Sequence, residues 1–535
     1  MGKTKRSIAG ILCIVVLTMM FQICPSYAAT ATYSISKMKL NMTVGDTSTL
    51  SVSGTKEKIS WRSSKKSVAT VDKNGKVTAK NAGSAVITAT VAGEKLTCNV
   101  TVENKMIRVL LKTTNFSGIY HSSVVVTSTN KFTIKNGKTT KKYAAGKKVS
   151  ISSSYALLKS GNAITIAAEN NGKISITSIK RSQGTPSYRG ELTIKNVSGK
   201  GLTVVNKLPI EQYLYSVVSS EVSSYYATEA IKAQAVTARS YAYARLNSAT
   251  YKSLGADVDD STSYQVYNNI AENATIKEAV DATKNIVIKD GSKIIATFFF
   301  STSFGQTAEP SEVWGGSAED KYYNSVQQLK SGKAKNLSKN AQFKTFLKNV
   351  SLKTFDSNAD WYRWNTQISR VVLQKQINNK LASCYRSYSS AVTTLQPDGT
   401  YRSKSISSIG TLKNVTVVKR TQSGMVNTIK ITGSKAIIQV SNASAIRMLL
   451  APSSSNLIKK NGSKVYGLSM LPSAFFYTEK STTKGVTYIN IYGGGYGHGV
   501  GMSQNGANQM GKEGYTYSQI LKHYFKNIKV VHVAL

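Results

Sequence analysis

LPIEQYLYSVVSSEVSSYYATEAIKAQAVTARSYAYARL, residues Leu208–Leu246, is the stretch around which the rest of the chain is organised. A short apolar run follows Pro209, a polar Ser/Tyr segment carries Glu221, and an uninterrupted pattern then begins at Ala227. From Ala227 to Leu246 there is no Gly or Pro and alanine dominates, so helix propensity is high. Ala227, Ala230, Ile231, Ala235, Ala238 and Ala242 keep the i, i+3, i+4, i+7 spacing of an apolar helix face, with Lys232 and Arg239 on another. Side chains this small let other backbones approach closely, which predicts a central helix of roughly 30 Å at about 1.5 Å per residue. Glu221 lies just before its N-terminus, where it can face a cleft.

A second unusual stretch lies near the C-terminus: GGGYGHGVGMSQNGANQM, Gly493–Met510. Gly493, Gly494, Gly495, Gly497 and Gly499 permit positive φ and close backbone approach. The Lys-Ser/Thr of a phosphate loop is missing, as is the G-x-S-x-G elbow of a serine hydrolase. The glycines instead present His498, Ser503 and Gln504 beside a helix expected to start near Asn505. His498 reads better as a residue that orients substrate than as a base, and Ser503 as a helix cap.

The first residues predict export. Lys3, Lys5 and Arg6 precede an apolar run from Ile8 to Ile23, then Ser26-Tyr27-Ala28, the pattern of a secretory signal cut after Ala28. The run is shorter than the roughly 20 residues of a spanning helix. Cys13 and Cys24 lack a lipoprotein context, and no later stretch is apolar enough to span, so the mature chain is expected to have no membrane span. Lys plus Arg is 70 against 26 Asp plus Glu, a formal charge of +44. Such a charge suits a polyanion. A secreted chain rarely meets nucleic acid, which leaves anionic wall polymers and peptidoglycan carboxylates. Only Cys98 and Cys384 follow the signal, in different domains, which excludes a disulfide scaffold and predicts inert thiols.

At 535 residues the chain should hold two or three domains. Residues 32–103 alternate in short strands, with a hairpin turn at Asn74-Gly75, and predict an all-β sandwich. Residues 106–207 continue in strands with Gly turns and carry no acid–base cluster, a β-rich lead-in to a main module at 208–533. Asp257, Asp259 and Asp260 lack the spacing of a calcium loop and read as a solvated loop. A helix is expected around Asn340–Asn349, a core role for Trp361 and Trp364, and strands at Val415–Val418 and Asn427–Ile431.

These residues carry a resemblance. The central stretch resembles the signature of the SpoIID/LytB family, the stage II sporulation protein D group of cell-wall proteins. There an EM-like pair precedes a helix reading roughly EALKAQAVAARTYA; here Glu221-Val222 precedes EAIKAQAVTARSYA. Gly493–Met510 resembles the family's GHGVGMSQ motif, and the likeness runs from about Ile107 to Val531. The run from Trp61 to Thr90 resembles a bacterial immunoglobulin-like domain of group 2, with Trp61 in the core and a spacer or wall-binding role. The implied fold is multidomain: an immunoglobulin-like sandwich, then a mixed α+β module with a β-rich lead-in and a central helix.

The resemblance implies a secreted, wall-associated protein, Gram-positive in type, that remodels peptidoglycan as a lytic transglycosylase. Glu221 would be its single acid/base, with Arg239, Tyr225, Tyr226, His498, Ser503 and Gln504 binding the glycan strand. The Met, Pro and Trp usual after the acid are replaced here by Val222 and Ser223–Tyr226. Relatives can carry Cys and His metal ligands where this chain has Tyr264, Phe304 and Gln306, which are not zinc ligands; neither metal nor other cofactor is expected. Two other classes remain: a non-catalytic wall-binding enhancer of an amidase, and a surface adhesion or display protein. Export with charge-driven retention predicts recovery in the wall fraction and release as salt rises, because exposed attraction is screened. Retention unchanged in molar salt would indicate shape-specific binding or a membrane anchor instead.

Overall fold

The computed structural model describes residues 32–137, 139–158, 163–315, 321–331 and 336–534; the expected signal at 1–28 lies outside them. Two compact units divide between Glu103 and Asn104. Among the described residues, no helix is long and apolar enough to cross a membrane.

In the first unit, a four-stranded sheet runs in the order Lys39–Thr43, Glu94–Glu103, Gly83–Val91, Ser60–Ser63. A three-stranded sheet runs Thr47–Thr49, Lys76–Ala79, Ala69–Val71. Period-two alternation sets the inner face: Ala85, Ile87, Ala89 and Val91 from one strand, Cys98, Val100 and Val102 from the next. The expected Asn74-Gly75 turn forms, with Gly75 at φ 76°. Trp61 is half-buried rather than fully in the core, and lies over that turn. A Cβ on Gly75 would come within 2.9 Å of the indole.

The second unit opens on a seven-stranded sheet in which Met106–Leu110 lies between Gly201–Pro209 and Val258–Asp259. The chain then enters two helices, α1 (Ile210–Glu221) and α2 (Thr228–Arg245). The strands of the lead-in share one hydrophobic core with Tyr213, Leu214, Val217 and Val218 of α1 and with Ile231, Ala235, Ala238 and Ala242 of α2. Another face of α2, with Ala230, Ala233 and Val236, belongs to a second core with Phe304, Phe343, Phe475 and the helices Gln504–Lys512 and Tyr517–Tyr524. A third core lies under the helix Arg370–Ser387. The predicted central helix is thus present and is buried on two faces. The expected helix at 340–349 spans Asn340–Lys348, and the strands expected at 415–418 and 427–431 lie within Leu412–Arg420 and Val426–Gly433. Cys98 and Cys384 are buried free thiols, and burial pushes Cys384 up to about 11.

Two charge expectations need correction. Asp257, Asp259 and Asp260 are buried rather than solvated. Asp260 pairs with Arg181 at 2.6 Å, both fully buried, and Asp257 pairs with Arg108 at 2.6 Å. The acids hold the end of the long sheet to the loop after α2; backbone N–H groups of Lys112 and Asn247 also donate to them. Arg239 was expected at substrate. It is fully buried, donates from Nε and Nη2 to the two oxygens of Glu211 at 2.8 Å each, and reaches the carbonyls of Ile286 and Val280. Its guanidinium clamps α2 to α1 and is buried out of reach of a ligand. Arg239→Ala would leave the Glu211 carboxylate buried without its cation, which costs roughly 3–5 kcal/mol. Thermal melting of the variant should show a large drop in the second unit's transition; a drop of a degree or less would mean that the pair is not structural.

Candidate functional site

Where α1 ends, Val222 turns extended (φ −133°, ψ 154°) and the chain leaves the helix axis before α2 begins. Glu221 is therefore the last residue of its own helix, not a loop residue before the central one. Its side chain points into a pocket of about 240 Å³ walled by Tyr241, Tyr264, Phe298, Phe299, Phe300 and Tyr496. Among the described residues lining this pocket, Glu221 is the only carboxylate and there is no Lys or Arg. The carboxyl accepts the Val266 N–H at 2.9 Å. Burial pushes it up to about 7, against the opposing pull of the Val266 N–H and the Gln504 carboxamide. The negative end of the α1 dipole acts in the same direction as burial.

The glycine motif forms the opposite wall. Phe299–Phe300 pairs in parallel with Met502–Ser503, and Thr302 bridges to Tyr496. This requires the chain to pass almost through its neighbour. Gly501, at φ 79°, would put a Cβ 2.1 Å from the Phe298 carbonyl oxygen, and Gly497, at φ 112°, one 2.9 Å from the Phe300 Cβ. His498 reaches the pocket because of this crossing. Its Nδ1 accepts the Val500 N–H at 3.1 Å, the ring also bonds the Phe299 backbone, and burial holds it down to about 4. A neutral imidazole with both nitrogens engaged orients neighbours; it is not a free base. Trp314, 53% exposed on the pocket's rim, packs on His498 (ring centroids 5.2 Å) and Phe298 (4.8 Å).

Of the other residues expected to bind substrate, Gln504 lines the pocket with its carboxamide turned to the Glu221 carboxyl, on which it pulls against burial, although its buried Nε2 completes no hydrogen bond of regular geometry. Tyr226 is half-buried and donates to Asn505 Oδ1 at 3.0 Å. Tyr225 is 92% exposed and, like Arg239 and Ser503, is not in the pocket lining. Ser503 caps the helix Gln504–Lys512 by accepting from the Gly506 N–H, and donates to Asp356 Oδ1 at 2.5 Å. Glu229, a possible rival acid, is paired with Lys232 at 2.7 Å, as Glu211 is with Arg239. Tyr264 lines the Glu221 pocket, Phe304 stacks on Phe475 at 4.4 Å, and the Gln306 amide donates to Ser325. Among the described residues, no three His, Cys, Asp or Glu side chains come together as a metal site.

Sequence reasoning missed Asp356. It is 0% exposed, and it accepts from Ser503 Oγ and from the Ser303 N–H at 2.9 Å, while its Oδ2 has no hydrogen-bond partner. No motif surrounds it; an isolated Asp in a polar loop gives no signal. It ties the strand Phe299–Phe300 to the helix that carries Gln504, one residue beyond the cap, and so positions the site from behind.

A family model described as stage II sporulation protein matches residues 198–289, from the last lead-in strand through both helices and past the pocket loop. A domain of unknown function matches 308–501, and an intimin immunoglobulin-like domain 43–93. An uncharacterized protein of Brachyspira hyodysenteriae (strain ATCC 49526 / WA1) is 31% identical over 62% of this chain and 68% of its own length. The stage II sporulation protein D of Bacillus subtilis (strain 168) is 25% identical over 61% of this chain and 75% of its own. The amidase enhancer of the same organism is 27% identical over 58% of this chain, a match spanning only 39% of that protein.

Burial lifts Asp356 to about 7, so the folded chain keeps its proton through a range where the unfolded chain has lost it. Stability from this group therefore falls as pH rises from about 4 to about 7. Asp356→Asn removes that dependence, so the melting temperature of the variant relative to the parent should rise across this window and level off above it. Parallel curves would mean that Asp356 is ionised throughout.

Proposed function

Because this chain belongs to the stage II sporulation protein D family, with an immunoglobulin-like domain before the family module, we propose that it is an exported peptidoglycan-remodelling enzyme, a lytic transglycosylase with Glu221 as its single acid/base. The observation that carries this reading is one carboxyl, lifted to about 7, in an aromatic pocket with no second carboxylate among the described lining residues. Hydrolytic glycosidases commonly need two carboxylates, one to protonate the leaving oxygen and one to act as base or nucleophile. A transglycosylase manages with one. Protonated Glu221 gives its proton to the glycosidic oxygen as the C1–O bond breaks. The resulting carboxylate then takes the proton of the sugar's own C6 hydroxyl as that oxygen closes on C1, which leaves a 1,6-anhydro end and restores the acid.

The surrounding groups have matching roles. The Val266 N–H steadies the carboxylate half of the cycle, and the Gln504 amide, which pulls on the carboxyl without a regular hydrogen bond, lies where it can serve either the carboxyl or a substrate oxygen. The flat faces of Tyr264, Tyr496 and Trp314 suit the apolar faces of sugar rings. Neutral His498 holds the rim. The amidase-enhancer reading rests on the similarity to the B. subtilis protein of that name, and on that reading the same pocket would bind glycan without cutting it.

Glu221→Gln keeps shape and removes the titratable proton, so release of anhydro ends from purified sacculi should fall at least 10²-fold, with little change in melting temperature. In the parent, the rate should decline roughly tenfold per pH unit above about 7, as the acid form is lost. Mass spectrometry of the digest reads both. If no anhydro product forms with the parent but added amidase is accelerated, the enhancer reading replaces the enzyme.

A further inference from the structure

A larger concavity lies beyond the glycine run. It encloses about 400 Å³ between the helix Asn340–Lys348 and the strands Trp364–Ser369 and Val486–Gly493. Tyr477 and Tyr492 form one wall, their rings near parallel with centroids 5.1 Å apart. Lys348, Arg363, Lys459 and Lys460 supply four cations to the lining, and no carboxylate lines it among the described residues. Arg363 bonds only to the carbonyls of Leu347, Phe304 and Tyr362 and to the Tyr362 hydroxyl, so its charge has no acid partner there. Two acids stand at the rim. Glu479 is shared by Lys344 and Lys348, and Asp360 is 3.6 Å from Lys459. Pairs at a solvated rim are weak, so an incoming anion can take the lysines over.

This cleft is joined to the Glu221 pocket by a run of side-chain contacts, Tyr496 on Trp361 and Trp361 under Lys459. Tyr496, 40% exposed and lining the Glu221 pocket, packs against Trp361 with ring centroids 4.7 Å apart. Lys459 Nζ lies 5.2 Å over the Trp361 ring and then faces the basic cleft. The floor of that cleft, Gly493, is three residues from Tyr496, at most roughly 10 Å of extended chain. A strand seated at Glu221 can therefore follow Tyr496 and Trp361 into the second cleft without leaving the surface.

We propose that the basic, tyrosine-walled cleft is an outer subsite for a carboxylate-bearing saccharide of the strand held at Glu221, with Lys459 and Lys460 binding the carboxylate and Tyr492 packing on the ring. The identity of the strand rests on the glycan reading above; the cleft, its charge and its connection do not. The chemistry selects an acidic sugar. A neutral glycan would give Lys459 and Lys460 nothing stronger than the Asp360 carboxylate and the Ser357 carbonyl they already meet, and a purely inorganic anion would not use the tyrosine wall.

The test is a binding titration with full-length Glu221→Gln protein, which cannot turn over the ligand. Soluble peptidoglycan glycan strands with free carboxylates are compared with the same strands amidated, and with a polyol-phosphate polymer. Amidation should weaken binding about tenfold. Lys459→Gln/Lys460→Gln should weaken binding to the acidic strand by a similar factor and binding to the amidated strand hardly at all. Lys284→Gln/Lys293→Gln, the same charge change at exposed positions elsewhere, should produce neither effect. Equal affinity for acidic and amidated strands overturns the subsite, as does an unaffected double lysine variant. Tighter binding of the polyol phosphate, lost in the lysine variant, overturns the saccharide assignment. Because the readout is binding, a chain that proves unable to cleave glycan leaves this experiment intact.

Discussion

The close packing of α2 against two cores at once is the constraint on which the second unit depends. One side of the helix meets the sheets of the lead-in, another meets the C-terminal helices and the glycine motif. Only alanine-sized residues allow both. A Cβ on Gly511 would lie 2.8 Å from the Ala227 Cβ, so the helix Gln504–Lys512 already touches α2 as closely as atoms permit. Had leucines stood at these positions, the helix carrying Gln504 would be pushed away from the end of α1 that carries Glu221. The alanines thus act on the site without entering it. The Arg239–Glu211 clamp locks α2 to α1 from the other end, which is why a motif residue that looks available for ligand is instead wholly internal.

The elements most legible in the sequence were those set by local periodicity. The strands of the first unit, α2 and the helix after Lys339 followed from alternation and 3.6-residue spacing, and Glu221 and the glycine motif were visible as motifs. What escaped depended on partners distant in the chain. The stretch Ile210–Glu221 was read as an apolar run because its Val and Ser content weakens helix propensity; packing against the sheet and α2 decides it. Asp257, Asp259 and Asp260 look like a solvated acidic loop until Arg108 and Arg181, more than seventy residues away, are brought to them. Asp356 had no local signal, since its meaning lies in Ser503 and Ser303.

Charge is distributed with a sharp division. Among the acids drawn into the interior of the second unit, Asp257, Asp259 and Asp260 each have a cation beside them, and an acid without one stands out. Glu221 and Asp356 are two such acids; both are held by neutral N–H and O–H donors alone, and both are lifted toward neutrality. Asp356 touches the cap of the helix whose first residue, Gln504, flanks Glu221, so the two buried carboxyls are linked through one short stretch of backbone. Two groups that lose their protons over one range of pH would make the site sensitive to that range in structure as well as in the proposed chemistry.

On the proposed transglycosylase reading, the same division lets a basic protein keep one acid protonated. A lysine in contact with Glu221 would attract an anionic strand, but it would also favour the carboxylate and remove the proton that the reaction needs. The cations stand instead around the second cleft, across Tyr496 and Trp361. Attraction between exposed charges is screened over about 8 Å at physiological ionic strength, and no cation among the described lining residues acts on the Glu221 carboxyl, so lysines of the second cleft can hold an acidic polymer while perturbing the buried carboxyl weakly. On the same reading, the Tyr496–Trp361 pair would carry a strand between the two regions on rings that bear no charge, and would keep attraction and proton transfer in separate dielectric surroundings. A pocket with its own cation would bind more tightly and react less. Placing affinity outside and acidity inside would allow the proposed enzyme to have both.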